Sequence, residues 1–232
     1  MKSNFAGKTS SAEIKQVYLE SLGEDYGEFS LGKNTTKILM ESPRNLLFTL
    51  SRYKFVSKMF DGFEKVLEVG CQEGFGAHLI SPVVGKLDCI DFFKPYIESS
   101  KKRFSIKNIS FTAHDMLDSS FGKTYDGIYS LDVLEHIQKE DEHLFMKNIC
   151  ESLATNGSLI LGMPSLESQK YASEPSKIGH VNCKTAAQLK SLSEVYFNNV
   201  FIFSMNDEVL HTGFHPMSHY LFSLCCFKKT EI

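Results

Sequence analysis

The run Glu68-Val69-Gly70-Cys71-Gln72-Glu73-Gly74-Phe75-Gly76 is the part of this chain whose residue types and spacing best serve chemistry. It follows the apolar run 65–69 and precedes a segment with helical character. Glycines at such a strand-to-helix turn let the chain reverse tightly and let a ligand lie against bare backbone. Asp91 ends the next apolar run, 21 residues beyond Gly70, where a carboxylate can accept hydrogen bonds from both hydroxyls of a ribose. Loop and acid together describe a nucleoside site. A dinucleotide would set its pyrophosphate on the helix N-terminus, and Glu68, just before the first glycine, opposes that charge. A nucleoside with an ammonium group and no phosphate suits the place better.

The elements that must hold these residues are legible around them. Residues 65–69, 87–91, 109–113, 127–131 and 158–162 read as short buried strands. Helices are expected to begin near Phe75 and to cover roughly 95–104 and 139–154. Another follows Thr185 over 186–197, and two final strands cover 200–204 and 220–227. Asn156-Gly157 reads as a turn, and 163–184 as a long irregular segment. Ahead of the strands, 11–20 reads as a short helix capped by Ser10 or Ser11. Ser42-Pro43 gives a cap and a first-turn proline for a helix over 43–60. Strands alternating with helices imply an α/β fold: a Rossmann-like, seven-stranded, mostly parallel sheet with an antiparallel last strand and helices on both faces. Ligands in such sheets bind beyond the carboxyl ends of the strands. The expected organisation is an N-terminal helical extension or lid over 1–60, then a catalytic domain over 61–232 with a substrate loop around 163–184.

Composition sets the outer limits. The chain has 232 residues, 42% of them hydrophobic, and a formal net charge of -3. That balance gives no broad basic face, so no nucleic-acid partner is expected. No run of about 18 apolar residues marks a membrane span, and the first residues lack a signal-peptide pattern. Six cysteines without a CxxC pair read as reduced core thiols of a cytoplasmic protein.

The block VLEVGCQEGFG resembles the first motif of the class I S-adenosylmethionine-dependent methyltransferases. The likeness extends from about Lys65 to Gly162. It implies S-adenosylmethionine as cofactor and S-adenosylhomocysteine as product. By that resemblance Glu68, Gly70, Cys71 and Gly74 surround the methionine portion, and Asp91 holds the ribose. Phe92 packs on the adenine, Asp115 contacts its amine and Met116 its ring. Ser130-Leu131-Asp132-Val133-Leu134-Glu135-His136 resembles the fourth motif of the small-molecule branch that includes ubiquinone-biosynthesis O-methyltransferases, with Leu131 and Asp132 flanking the methionine end. Gln72 stands where the family often has glycine.

Methyl transfer from a sulfonium asks the protein to align an acceptor and exclude water, and in some cases to supply a base. His136, after the fourth strand, and His180, in the long loop, are the candidate catalytic residues. Tyr18, Tyr26, Tyr171, His211 and His215 are candidate substrate contacts. His211, His215 and His219 recur every fourth residue, but Gly213 and Pro216 break any helix that would align them, and no metal is expected. The expected acceptor is a small molecule with a hydroxyl oxygen, such as a sugar or a nucleotide-linked or phosphorylated metabolite, and the expected assembly is a monomer or homodimer. Alternatives on the same fold are an N-methyltransferase, a protein methyltransferase and a noncatalytic cofactor-binding scaffold.

Overall fold

The computed structural model describes residues 10–21 and 29–230. Two compact units divide the chain, Met1–Ser30 and Leu31–Ile232. In the first, α1 (Ser11–Ser21) buries no residue. Ser10 and Glu13 close its start reciprocally: the Glu13 amide donates to Ser10 Oγ at 3.2 Å, and the Ser10 amide to Glu13 Oε2 at 3.3 Å.

The second unit starts earlier than residue 61, because two helices ahead of the first strand belong to it. α2 (Lys33–Glu41), KNTTKILME, is polar on average and buries only Thr35. It is held instead through its first turn, where the Lys33 and Asn34 amides donate to the Glu73 carboxylate at 2.9 and 2.8 Å. A buried acid at a helix N-terminus satisfies two orphan amides and meets the positive end of the helix dipole. α3 (Pro43–Met59) begins with proline, as expected, and buries Phe55 and Val56.

Eight strands form one sheet in the order β3-β2-β1-β4-β5-β8-β6-β7. β1 (Lys65–Val69), β2 (Lys86–Asp91), β3 (Ile109–Ala113), β4 (Tyr125–Leu131) and β5 (Leu153–Pro164) pair in parallel. β8 (Tyr220–Lys228) runs antiparallel between β5 and β6 (Phe197–Asn206). The eighth strand is β7 (Val209–His211), a three-residue edge that folds back on β6. It lies in a stretch expected to be a connection.

Asn156-Gly157 is also placed differently from the expectation. Tyr125 pairs with Leu153 and Gly127 with Ser158, so the dipeptide lies inside a bulge of one long β5.

Helices cover both faces. On one, α3, α4 (Ala77–Ile80) and α5 (Lys94–Arg103) enclose Val56, Phe60, Val66, Ile80, Ile97 and Tyr129. On the other, α6 (Glu142–Ser152) and α8 (Ala186–Tyr196) enclose Leu67, Val69, Ile128, Phe145, Ile149 and Leu189. α8 opens with a full capping box between Thr185 and Gln188. The loop 163–184 is less irregular than its sequence suggests, since it contains a 3-10 turn over Glu167–Tyr171 and α7 (Glu174–Gly179). Among the described residues no helix is long and apolar enough to cross a membrane.

Candidate active site

Strand order reverses between β1 and β4, and a cavity of about 610 Å³ opens there, beyond the carboxyl ends of β1 to β4. Gly70 lines it after β1, Asp91 and Phe92 after β2, Asp115 and Met116 after β3, and Asp132 and His136 after β4.

The glycine loop is shaped by packing as much as by room for a ligand. Gly70 has φ 82°, and a Cβ there would stand 2.2 Å from Val133 Cγ2. Gln72 has φ 47°, which gives a physical reason for glycine at this position in the resembled family. Gly76 answers a different need: a Cβ would strike the Tyr53 ring at 1.9 Å.

Asp91 is buried and gripped by backbone. The Gln72 amide donates to its Oδ2 at 2.9 Å and the Phe93 amide to its Oδ1 at 2.8 Å. Burial raises its pKa and the two amides counter that. Each oxygen keeps capacity for another donor, as two ribose hydroxyls require.

Several residues expected at the cofactor do not line the cavity. Glu68 follows the alternation of β1 onto the face opposite Leu67 and Val69, where α3 covers it and the Tyr53 hydroxyl donates to its Oε1 at 2.9 Å. Burial lifts its pKa to about 7, against the hydrogen bond from Tyr53. Cys71 and Leu131 are buried in the apolar cluster on that same face. Gly74 has φ 73° and is crowded by the Phe111 ring, 2.5 Å from where a Cβ would be. Phe92 does line the cavity, with 71% of its surface exposed, and Met116 lines it while buried. Asp115 also reaches the wall, its Oδ1 accepting the Leu117 amide at 2.8 Å.

Past β4 the wall depends on residues far away in sequence. Asp132 adopts φ 57° and accepts two hydrogen bonds from Arg52 Nη1, at 3.0 and 2.8 Å. Arg52 in turn stacks 3.9 Å over the Tyr220 ring. Glu135 is buried with neither carboxylate oxygen hydrogen-bonded. Burial first, then the Asp132 charge, drives its pKa well above the ordinary range.

His136 lines the cavity, and His180 stands beside it with ring centroids 5.1 Å apart. Burial and then His136 lower the pKa of His180. The two candidate catalytic histidines therefore come together although they stand 44 positions apart in the sequence.

The candidate substrate contacts of the second unit, Tyr171, His211 and His215, do not line the cavity. Tyr18 is an exposed residue of the first unit, and Tyr26 lies outside the described residues. Tyr171 is 80% exposed and does not line the cavity. His211 meets Asn206 at 3.0 Å, and His215 meets Ser204 Oγ at 2.6 Å. Both serve the β6–β7 hairpin and its return. The roles of Arg52, Glu73 and Glu135 were not legible locally: Arg52 pairs with Asp132 and Glu73 with the amides of α2, both far away in sequence, and Glu135 is buried by what folds over it.

The composition of the wall discriminates between ligands. Among the described residues it contains the carboxylates of Asp91, Asp115 and Asp132 and no lysine or arginine. That opposes a pyrophosphate and fits a nucleoside that carries positive charge. The acidity thus comes from these three aspartates and not from Glu68.

Comparison with known proteins agrees. Residues 66–157 match the methyltransferase domain family model. The N-methyltransferase NodS from Bradyrhizobium japonicum WM9, solved with S-adenosyl-L-homocysteine, is 20% identical with a TM-score of 0.63 over 87% of this chain and 95% of its own. The plantazolicin methyltransferase BpumL, solved with a monoazolic desmethylPZN analog and SAH, is 16% identical with a TM-score of 0.63 over 84% and 89%. DhpI, in a complex with SAM and HEP, is 15% identical with a TM-score of 0.60 over 94% and 99%. No curated protein sequence matches the chain. Residues 66–157 thus resemble a methyltransferase domain, and the chain has the fold of solved S-adenosylmethionine-dependent methyltransferases.

Proposed function

We propose that this chain transfers a methyl group from S-adenosylmethionine to the hydroxyl oxygen of a small molecule. The observation that carries the reading is the cavity at the strand switch point, whose wall holds three carboxylates and, among the described residues, no lysine or arginine. When bound, the cofactor supplies an electrophilic methyl: the acceptor's lone pair forms the new bond as the carbon–sulfur bond breaks and its electron pair stays on sulfur. Asp91, fixed by two backbone amides, holds the ribose, and Phe92 and Met116 enclose the adenine. Asp132, fixed by Arg52, faces the cationic end. His136 and His180 stand at the acceptor side, and the neutral imidazole of His180 is suited to receive the hydroxyl proton. The loop 163–184, which carries His180, selects the acceptor. Transfer to nitrogen is the second reading, favoured because NodS is an N-methyltransferase on this fold.

Calorimetric titration with S-adenosylmethionine tests the core of the proposal. Asp91→Ala removes the acceptor of two ribose hydrogen bonds, each worth about 1.5–3 kcal/mol when charged. A loss of affinity of about 100-fold or more is expected, and unchanged affinity would refute the ribose assignment. A screen of hydroxyl and amine acceptors for S-adenosylhomocysteine release, with mass spectrometry of the product, decides between oxygen and nitrogen.

A further inference from the structure

Glu135 is the least explained polar residue of the site. It is 1% exposed, and neither carboxylate oxygen has a hydrogen-bond partner. Leaving such a group unsatisfied costs on the order of 1–3 kcal/mol or more. Arg52, the nearest cation in the site, turns its Nη1 to Asp132.

Two histidines flank the orphaned acid. One ligand atom each from Glu135, His136 and His180 lie within 4.8 Å of one another. The hydrogen bonds around the two rings settle which nitrogen of each is free. His136 Nδ1 is 2.8 Å from the Gly179 carbonyl oxygen, which only accepts, so Nδ1 carries the proton. His180 Nδ1 is 2.9 Å from Gln169 Oε1. The Gln169 amide is oriented by its other end, since Nε2 donates to the Ser165 carbonyl at 3.2 Å and to Ser168 Oγ at 3.4 Å. His180 Nδ1 therefore donates as well. In both rings Nε2 keeps its lone pair, and the opposite nitrogen is anchored to a carbonyl oxygen. Metal-ligating histidines are held in this manner.

We propose that Glu135, His136 and His180 bind a divalent first-row metal cation at the acceptor edge of the cavity. Two imidazoles and one carboxylate suit manganese, iron or zinc and leave coordination positions open. His136 is itself part of the cavity wall, so the cation stands beside the acceptor. An acceptor hydroxyl placed on the cation would lose its proton more readily, to solvent, because His180 would then be a ligand and no longer the base. A hydroxyl with a second oxygen next to it would chelate, and that is the acceptor class the site favours. This last step rests on the methyltransferase reading, whereas cation binding does not. It also departs from the sequence expectation of a metal-free enzyme.

The test titrates chelator-treated protein with Mn²⁺, followed by loss of the free-ion electron paramagnetic resonance signal, and with Zn²⁺ by calorimetry. One equivalent per chain is expected for at least one of the two ions. Glu135→Gln and His180→Ala should each weaken that binding at least tenfold, while His211→Ala leaves it unchanged. Far-UV circular dichroism checks folding, and the partly exposed His180 keeps the test valid if the buried Glu135 variant fails to fold. No binding of either ion, or binding indifferent to His180→Ala, overturns the proposal. S-adenosylmethionine is titrated into the same metal-free protein, so a failed cation site and a failed cofactor site give different results.

Discussion

The carboxyl ends of β1 and β2 and the carboxyl end of β4 border the same cavity but are built on different principles. At β1 and β2 the polar groups facing the ligand are closed by nearby backbone: Asp91 is held by the Gln72 and Phe93 amides. At β4 they depend on distant side chains or on nothing in the chain. Asp132 is held by Arg52, 80 residues away, and both oxygens of Glu135 are unpartnered. The first arrangement suits a ligand that never varies, because backbone amides keep their place whatever the side chains. The second can be retuned for an acceptor by changing single residues.

Three changes would break or sharpen that contrast. The largest effect is expected beneath the cofactor loop, at Glu68. Its folded pKa of about 7 stands above the ordinary value of 4.5, so the native state favours the protonated acid. The stabilisation is fully present below pH 4.5 and is lost as pH rises through 7. The size is about 3 kcal/mol at about 1.4 kcal/mol per unit. Urea unfolding at pH 5 and pH 8 should show Glu68→Gln lacking that part of the wild-type slope. A parallel pH dependence in both proteins would mean that Glu68 is solvated, and that the loop is not closed from below.

An intermediate effect is expected at Arg52→Met, which leaves Asp132 without its partner. The two side chains are 20% and 31% exposed, so the loss is set below the figure for a fully buried pair, at about 2 kcal/mol. Urea unfolding should register it, with weaker S-adenosylmethionine binding alongside. Wild-type stability would show that the β4 end does not depend on this remote pair.

The smallest effect belongs to Gln72→Gly. Relief of a left-handed residue at φ 47° is worth about 1–2 kcal/mol, and glycine's extra unfolded-state freedom offsets about half of it. A gain of about 0.5–1 kcal/mol in the urea midpoint is expected, with cofactor affinity retained. A large loss of affinity would show that the Gln72 side chain, and not the backbone, serves the ligand.

The strands were readable because each is a short apolar run bounded by turn residues, and burial on both faces demands that pattern. The same alternation already separates Glu68 from Leu67 and Val69. What it leaves open is which face α3 covers, and so whether the acid meets a ligand or a tyrosine. α2 was illegible for a related reason. Its sequence has little apolar pull, and the acid that holds its start is Glu73, about 40 residues downstream. The pairing of His136 with His180 required the path of α7, which composition does not reveal.

The order of strands and helices, the glycine turn and the acid that ends β2 are local properties, and periodicity and backbone conformational limits are enough to determine them from sequence. The partners of Glu68 and Asp132 and the burial of Glu135 are decided only when segments far apart in the chain are packed together. A carboxylate's partner, exposure and charge state depend on what folds over it, and its own neighbours in sequence do not contain that information.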